Sequence, residues 1–163
     1  MNSELKSSNN RESGHSADYA LCICGRVTTP LMLDIKELRG MEPVETDELP
    51  MICGNGDPKG CIGRCRGVLL SDIINRADIL ITGHNDTRKM FIVASSDDGY
   101  KVVFSWQEIF NTPTGEGIMV LLEKNSRSLY DEQGAVDLVS ARDFLTGPRY
   151  VRQLKTIEIV LMA

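Results

Sequence analysis

Apolar and polar residues alternate near the end of the chain, where Ile157, Ile159 and Leu161 occupy every second position. A period of two places these side chains on one face of a strand, so the pattern predicts a strand over residues 156–162. Between residues 70 and 77, apolar side chains instead recur at intervals of three and four, which predicts an amphipathic helix. Shorter apolar segments predict further strands at residues 19–27, 89–96, 100–104, 118–122 and 135–139.

Two local sequence features indicate where these elements begin and end. The sequence Asp-Asp-Gly at residues 97–99 separates two predicted strands and suits a hairpin turn, because glycine adopts positive φ readily. Ser105 precedes Glu108 by three residues, the spacing of a capping box, which predicts a short helix from that point. Another short helix is predicted over residues 34–39. The elements follow one another without a βαβ rhythm, which favours an α+β fold over a doubly wound sheet.

The first 17 residues differ in composition from the rest of the chain. They are rich in Ser, Asn and charged residues, and Leu5 is their only sizeable apolar side chain. Such a segment buries too little apolar surface to offset the entropy lost on ordering it. We therefore predict a disordered polar tail over residues 1–17 and one folded domain over residues 18–163.

Composition and charge argue against several classes of function. The net charge of -5 disfavours a nucleic-acid-binding protein, since phosphate binding favours a basic surface. The apolar segments are far shorter than the roughly 20 residues that span a membrane, so no membrane partner is expected. Five cysteines without a recognisable secretory signal predict reduced thiols and a cytoplasmic protein. Only two histidines are present, which gives little support to a hydrolase triad.

The densest group of turn-forming residues follows Cys53, at residues 54–60. A thiolate is a suitable ligand for a soft or high-valent metal, and a glycine-rich loop lets the backbone approach a bulky ligand closely. Lys59, Arg64 and Arg66 add positive charge that favours the thiolate form. The residues alone leave two interpretations open, a metal-binding thiolate and a structural thiol at the end of a strand.

The other four cysteines fall into two pairs. Cys22 and Cys24 share one face of a predicted strand, and their spacing differs from that of zinc knuckles, so packing is the favoured role. Cys61 and Cys65 lie close to Cys53 in sequence. A cluster of three thiolates is therefore the alternative to separate structural roles.

Five short motifs occur in a fixed order over residues 21–161. They are Gly-Arg-Val-Thr-Thr-Pro-Leu at 25–31, Cys-Gly-Asn-Gly at 53–56, Arg-Gly-Val-Leu-Leu-Ser-Asp-Ile-Ile at 66–74, Ser-Asp-Asp-Gly-Tyr at 96–100 and Arg-Tyr-Val-Arg-Gln-Leu-Lys-Thr-Ile-Glu-Ile at 149–159. In this order they resemble the molybdopterin-binding domain of the sulfite oxidase family. The resemblance implies a mixed, mostly antiparallel β-sheet with short helices.

The resemblance also implies a molybdenum–molybdopterin cofactor and, with it, oxidoreductase activity. Cys53 matches the catalytic cysteine whose sulfur is a metal ligand, and Asn55 lies in the same cofactor-binding loop. Arg149 and Arg152 match basic positions that hold the cofactor or a small anion, for which charge-assisted hydrogen bonds are suited. A solvated basic surface is the alternative role of these two arginines.

The chain also departs from the family pattern. Its cysteine motif lacks an alanine, and Asp137 stands where the family has an arginine. The family's upstream cofactor-binding Arg and His residues have no evident counterpart, because only the polar tail precedes residue 19. These departures support a second hypothesis, a cofactor-free module that keeps the fold and binds a small anion or a protein. A structural role within a larger complex is a third.

Overall fold

The computed structural model describes residues 18–163, and the predicted tail over residues 1–17 lies outside the described residues. The strands are β1 (Leu21–Gly25), β2 (Leu31–Leu33), β3 (Val44–Ile52), β4 (Pro58–Leu69), β5 (Met90–Ser96), β6 (Lys101–Ser105), β7 (Ile118–Lys124), β8 (Arg127–Ser128), β9 (Val136–Ser140) and β10 (Val151–Leu161). The helices are α1 (Ile35–Arg39), α2 (Leu70–Asn75), α3 (Trp106–Asn111) and α4 (Leu129–Gln133), with short 3₁₀ helices at Asp86–Lys89 and Pro113–Gly117.

The strands form one mixed, mostly antiparallel sheet in the order β2-β1-β10-β9-β7-β4-β3. Strand β10 pairs with three others, in parallel with β1 and antiparallel with β5 and β9. Its Leu154 pairs with Ser96 on one side and with Val136 on the other. The predicted α+β class, with a mostly antiparallel sheet and short helices, is therefore confirmed.

The hydrophobic core lies on both sides of the sheet. Helix α2 buries Ile73 and Ile74 completely in the larger cluster, as the helical spacing of apolar residues predicts. In β7, Val120 belongs to this cluster, whereas Leu121 belongs to a smaller one on the opposite face. Strand β7 is thus buried on both faces. Within residues 18–163, no helix is long and apolar enough to cross a bilayer.

Both local sequence features have the predicted conformation. The Ser105 side chain accepts a hydrogen bond from the Glu108 backbone N–H at 3.0 Å, and the Glu108 carboxylate accepts one from the Ser105 N–H at 2.8 Å. This reciprocal pair is the capping box, and helix α3 begins after it. Gly99 has a φ of 92°, as the hairpin turn requires.

Strands β4 and β10 are among those that differ from the prediction. Strand β10 begins at Val151, five residues before the predicted start, because an irregularity in its pairing interrupts the alternation of apolar residues. Strand β4 was not predicted, since glycines and charged residues obscure its pattern. One of these is Gly67, where an added Cβ would lie 2.0 Å from the carbonyl oxygen of Val120, so the close approach of β7 requires glycine.

Replacing Ile73 by alanine tests the packing of α2. We expect Ile73→Ala to lower the free energy of unfolding by about 2–5 kcal/mol, since the side chain is fully buried and leaves a cavity. Urea denaturation measures this change. The control is Asn75→Ala, on the exposed part of the same helix. Equal effects of the two substitutions would contradict the described orientation of α2.

Candidate functional site

Cys53 follows β3 directly and opens the hairpin that leads to β4. Its backbone N–H donates to the carbonyl of Asp57 at 2.9 Å, and its carbonyl accepts from Gly56 at 2.8 Å. Asn55 stabilises the same turn, because its side-chain oxygen accepts from the Asp57 N–H at 3.0 Å and its amide donates to the Asp57 carboxylate at 2.9 Å. The Cys53 side chain is half-buried.

A loop over residues 141–150, between β9 and β10, is held against the end of β3. The hydroxyl of buried Thr146 donates to the carbonyl of Pro50 at 2.7 Å and accepts from the Ile52 N–H at 3.0 Å. The Gly147 N–H donates to the Ile52 carbonyl at 2.8 Å. A Cβ at residue 147 would lie 2.7 Å from that carbonyl oxygen, so glycine permits the contact. These bonds place the 141–150 loop beside Cys53.

The hairpin of β5 and β6 provides the third side of the site. The hydroxyl of Tyr100 donates to the carbonyl of Pro148 at 2.5 Å, which joins this hairpin to the 141–150 loop. In the same turn, the Asp98 carboxylate accepts hydrogen bonds from the Ser96 hydroxyl and the Tyr100 N–H. These bonds lower the pKa of Asp98 below its usual value, with the Ser96 bond the larger cause.

The three segments enclose a cavity of about 640 Å³. Its lining includes the polar or ionisable side chains of Cys53, Lys59, Asp98, Tyr100, Tyr150 and Arg152. Its volume lies within the range of about 300–1,000 Å³ that is usual for small-molecule sites. Two cationic side chains and one carboxylate that already accepts hydrogen bonds are among the lining residues, so the lining carries more positive than negative side chains. We call it the Cys53 pocket.

Arg149 is absent from the lining of this pocket. Its guanidinium donates two hydrogen bonds of 2.8 Å to the Asp143 carboxylate. It also donates to Glu108 at 3.0 Å and to the carbonyl of Val103 at 3.2 Å, and it stacks 4.4 Å from the Phe104 ring centre. These contacts anchor the 141–150 loop. The structure therefore brings Arg152, and not Arg149, together with Cys53.

Asp137, where the resemblance implies an arginine, is buried with only 2% of its surface exposed. Its carboxylate accepts hydrogen bonds from the Tyr150 hydroxyl at 2.5 Å, the Gln133 amide at 2.9 Å and the Gln153 N–H at 3.0 Å. The Lys124 ammonium lies 3.0 Å away. Burial alone would raise the pKa of Asp137, but these donors outweigh it, so the pKa is lowered.

Sequence patterns did not identify the two tyrosines of the pocket. Tyr100 and Tyr150 lie within motifs that resemble the family, but neither motif indicates a wall residue. Burial and the Asp137 charge raise the pKa of Tyr150, so its phenol stays protonated. The hydroxyl donates a hydrogen bond to the Asp137 carboxylate. Tyr100 instead donates to the backbone of Pro148. Both hydroxyl protons are therefore engaged within the protein.

The remaining cysteines lie apart from the pocket lining. Cys61 is exposed and Cys65 is buried, while Cys22 and Cys24 are half-buried on β1. Burial, with the nearby Cys22 thiol and Glu158, raises the pKa of Cys24. Among residues 18–163, no group of three His, Cys, Asp or Glu side chains is arranged to hold a metal ion. The three-thiolate alternative therefore has no support in this part of the chain.

Comparison with known proteins identifies a shared fold. No protein-family model matches the chain, and no curated protein sequence matches it. Among solved structures, the sulfane dehydrogenase SoxCD from Paracoccus pantotrophus is similar, with a TM-score of 0.60 and 15% sequence identity over 87% of this chain. The chain spans 38% of the length of that protein chain. At this identity the similarity shows that most of the described chain has a fold found within a larger sulfane dehydrogenase.

The anchoring role of Arg149 can be tested through stability. We expect Arg149→Ala to lower the free energy of unfolding by about 2–3 kcal/mol, because it leaves two partly buried carboxylates without their partner. The matched control is Arg127→Ala, whose pair with Glu132 is exposed and contributes less than about 1 kcal/mol. Urea denaturation compares the two. Similar small losses would show that the Arg149 contacts do not stabilise the loop.

Proposed function

We propose that this chain is a domain of the sulfite oxidase type that binds molybdopterin in the Cys53 pocket. The observation that carries the proposal is the meeting of Cys53, Lys59 and Arg152 in one cavity of about 640 Å³. Cys53 and Lys59 lie on the hairpin of β3 and β4, whereas Arg152 lies far later in the sequence on β10, and the fold brings them together. Three of the five motifs that resemble the family, at 53–56, 96–100 and 149–159, contribute residues to the lining of the cavity.

The chemistry of the lining fits the cofactor. The Cys53 sulfur offers a soft ligand on the pocket wall, and soft thiolates suit transition metals. Lys59 and Arg152 offer positive charge for a phosphate or another anionic group. The cavity volume is that of a site for a molecule of cofactor size. A bound molybdenum–molybdopterin group would supply the redox chemistry of an oxidoreductase.

The protein residues have separate roles in this proposal. Cys53 holds the metal, while Lys59 and Arg152 bind and orient the anionic parts of the cofactor or of a small anionic substrate. Asp98 keeps its negative charge, because the Ser96 hydroxyl and a backbone N–H donate to its carboxylate, but the two cations Lys59 and Arg152 outnumber it in the lining. Asn55 contributes by fixing the turn that carries Cys53.

The structural similarity supports an oxidoreductase more than other classes of protein. SoxCD is named a sulfane dehydrogenase, and this chain shares its fold over 87% of its own length. Because that protein is much longer, its activity and substrate enter here only as a proposal. A sulfur-containing small anion is consistent with two cations in the pocket. The net charge of -5 argues against nucleic acid as the ligand.

A cofactor-free anion-binding module is the second candidate. The observation that favours it is that Arg149 and the Asn55 side chain, both implied as cofactor contacts, are engaged within the protein. Asp137, at an arginine position of the family, is buried. Lys59 and Arg152 would still bind a small anion in this case, with Cys53 as a neighbouring thiol.

Replacing Cys53 distinguishes the two candidates. In protein expressed in a host that synthesises the cofactor, we expect about one molybdenum per chain in the wild type and none in Cys53→Ser, because a hydroxyl is a poor substitute for thiolate. Elemental analysis measures the metal, and oxidation of the released pterin to its fluorescent form measures the organic part. The control is Cys61→Ser, at an exposed thiol outside the pocket lining, which retains the metal.

Two outcomes would count against the metal site. Molybdenum that remains in Cys53→Ser excludes Cys53 as the ligand. Metal-free wild-type protein, expressed in the same host, favours the anion-binding module. In that case inorganic phosphate should bind to the wild type and bind more weakly to Arg152→Gln, which calorimetry measures.

A further inference from the structure

Strand β10 contains a β-bulge at Arg152 and Gln153. Val151 and Leu154 pair with residues only two positions apart on β9, so β10 has one residue more than its partner. Both Val151 and Leu154 are fully buried, whereas the two residues between them are exposed. In a regular strand, residues three apart face opposite sides of the sheet. The extra residue therefore lets Val151 and Leu154 both face the core while Arg152 faces outward. There Arg152 lines the Cys53 pocket.

The bulge requires an unusual backbone conformation. Gln153 has a φ of 52°, in the left-handed region that residues other than glycine seldom adopt. Both of its backbone groups have partners, since its N–H donates to the Asp137 carboxylate at 3.0 Å and its carbonyl accepts from the Asp97 N–H at 3.3 Å. The hydrogen bond to a charged acceptor offsets part of the cost of this conformation.

Asp137 contacts the chain on both sides of Arg152. It accepts from the Tyr150 hydroxyl two residues before Arg152 and from the Gln153 N–H one residue after it. Lys124 strengthens this arrangement, because its ammonium lies 3.0 Å from the Asp137 carboxylate and 4.7 Å from the centre of the Tyr150 ring. The carboxylate thus fixes the short segment that carries Arg152, although Asp137 itself is absent from the pocket lining.

We propose that Asp137 is a positioning residue for the Cys53 pocket: it holds Tyr150 and Gln153 so that the Arg152 guanidinium faces an anionic ligand beside the Cys53 sulfur. This inference rests on the proposed function in that the pocket binds an anion. It does not require that the anion be molybdopterin.

An isosteric substitution separates the charge of Asp137 from its size. In Asp137→Asn, one carboxylate oxygen becomes an amide nitrogen that donates and cannot accept. In one orientation of the amide, the nitrogen replaces Oδ2, which accepts from the Tyr150 hydroxyl and pairs with Lys124. In the other orientation, the nitrogen replaces Oδ1, which accepts from the Gln133 amide and the Gln153 N–H. Either orientation leaves two donors without an acceptor. We therefore expect the bulge to relax and Arg152 to leave its direction toward Cys53.

The test compares alkylation of Cys53 by iodoacetate and by iodoacetamide in protein expressed in a host that does not synthesise the molybdenum cofactor, so that the Cys53 thiol is free in every variant. Both reagents attack the same thiolate, but only iodoacetate is an anion, so the ratio of their rates measures the positive charge near the sulfur. Peptide mass spectrometry follows Cys53 separately from the other cysteines. We expect Arg152→Gln to lower the ratio by about three- to sixfold, the effect of one charge at a distance of several ångströms. Asp137→Asn should also lower it, with Arg152 still present, even though loss of the Asp137 negative charge by itself would raise it.

Two further variants complete the experiment. Arg76→Gln removes one exposed positive charge after α2 and should leave the ratio unchanged. Tyr150→Phe removes only one of the donors to Asp137, and we expect a fall of about twofold with the fold retained. This variant keeps the inference testable if Asp137→Asn does not fold. Circular dichroism checks the fold of each variant.

Several results would overturn the inference. A ratio that Asp137→Asn leaves unchanged or raises, or that Tyr150→Phe leaves unchanged where Asp137→Asn does not fold, would show that Asp137 does not position Arg152. The same holds if Asp137→Asn accelerates both reagents equally, since that result indicates general loosening. An unchanged ratio in Arg152→Gln would show that Arg152 does not act at Cys53. Because alkylation needs no molybdenum, absence of the metal would contradict the cofactor proposal without affecting this result.

Discussion

Strand β10 is paired along both edges, and this constraint determines the geometry of the pocket. Leu154 pairs with β5 on one side and β9 on the other, so an extra residue in β10 cannot move to a free sheet edge. The strand accommodates it as the bulge at Arg152 and Gln153, with Asp137 bound to the strained backbone. The pairing that buries Val151 and Leu154 therefore also directs Arg152 outward.

The same constraint explains why the pocket is formed by segments distant in sequence. Strand β10 is preceded by the 141–150 loop, whose Thr146 and Gly147 bond to the end of β3 beside Cys53. Tyr100 joins the hairpin of β5 and β6 to this loop. Because the Thr146 and Tyr100 hydroxyls and the Gly147 N–H bond each wall to the backbone of the next, the positions of the lining side chains depend on contacts between distant segments.

Sequence periodicity predicted the elements whose side chains alternate regularly, but it failed where the alternation breaks. Ile157 and Ile159 indicated the second half of β10, whereas the bulge hid its beginning at Val151. The site was predicted in part for a related reason. Arg149 and Arg152 belong to one motif and are chemically identical, so the sequence predicts the same role for both. It does not show that Asp143 and Glu108 form ion pairs with Arg149. Only the folded chain distinguishes an anchoring arginine from one that faces a ligand.

The position of Asp137 changes how positive charge is distributed around the pocket. A carboxylate buried in β9 draws the Lys124 ammonium to within 3.0 Å and holds it beside the Tyr150 ring, so this cation is neutralised within the protein. Arg149 is neutralised in the same way by Asp143 and Glu108. Of the basic side chains near the site, Lys59 and Arg152 line the cavity. One lies on an exposed hairpin and the other on a bulge, so the attraction of the pocket for anions depends on two separately supported charges.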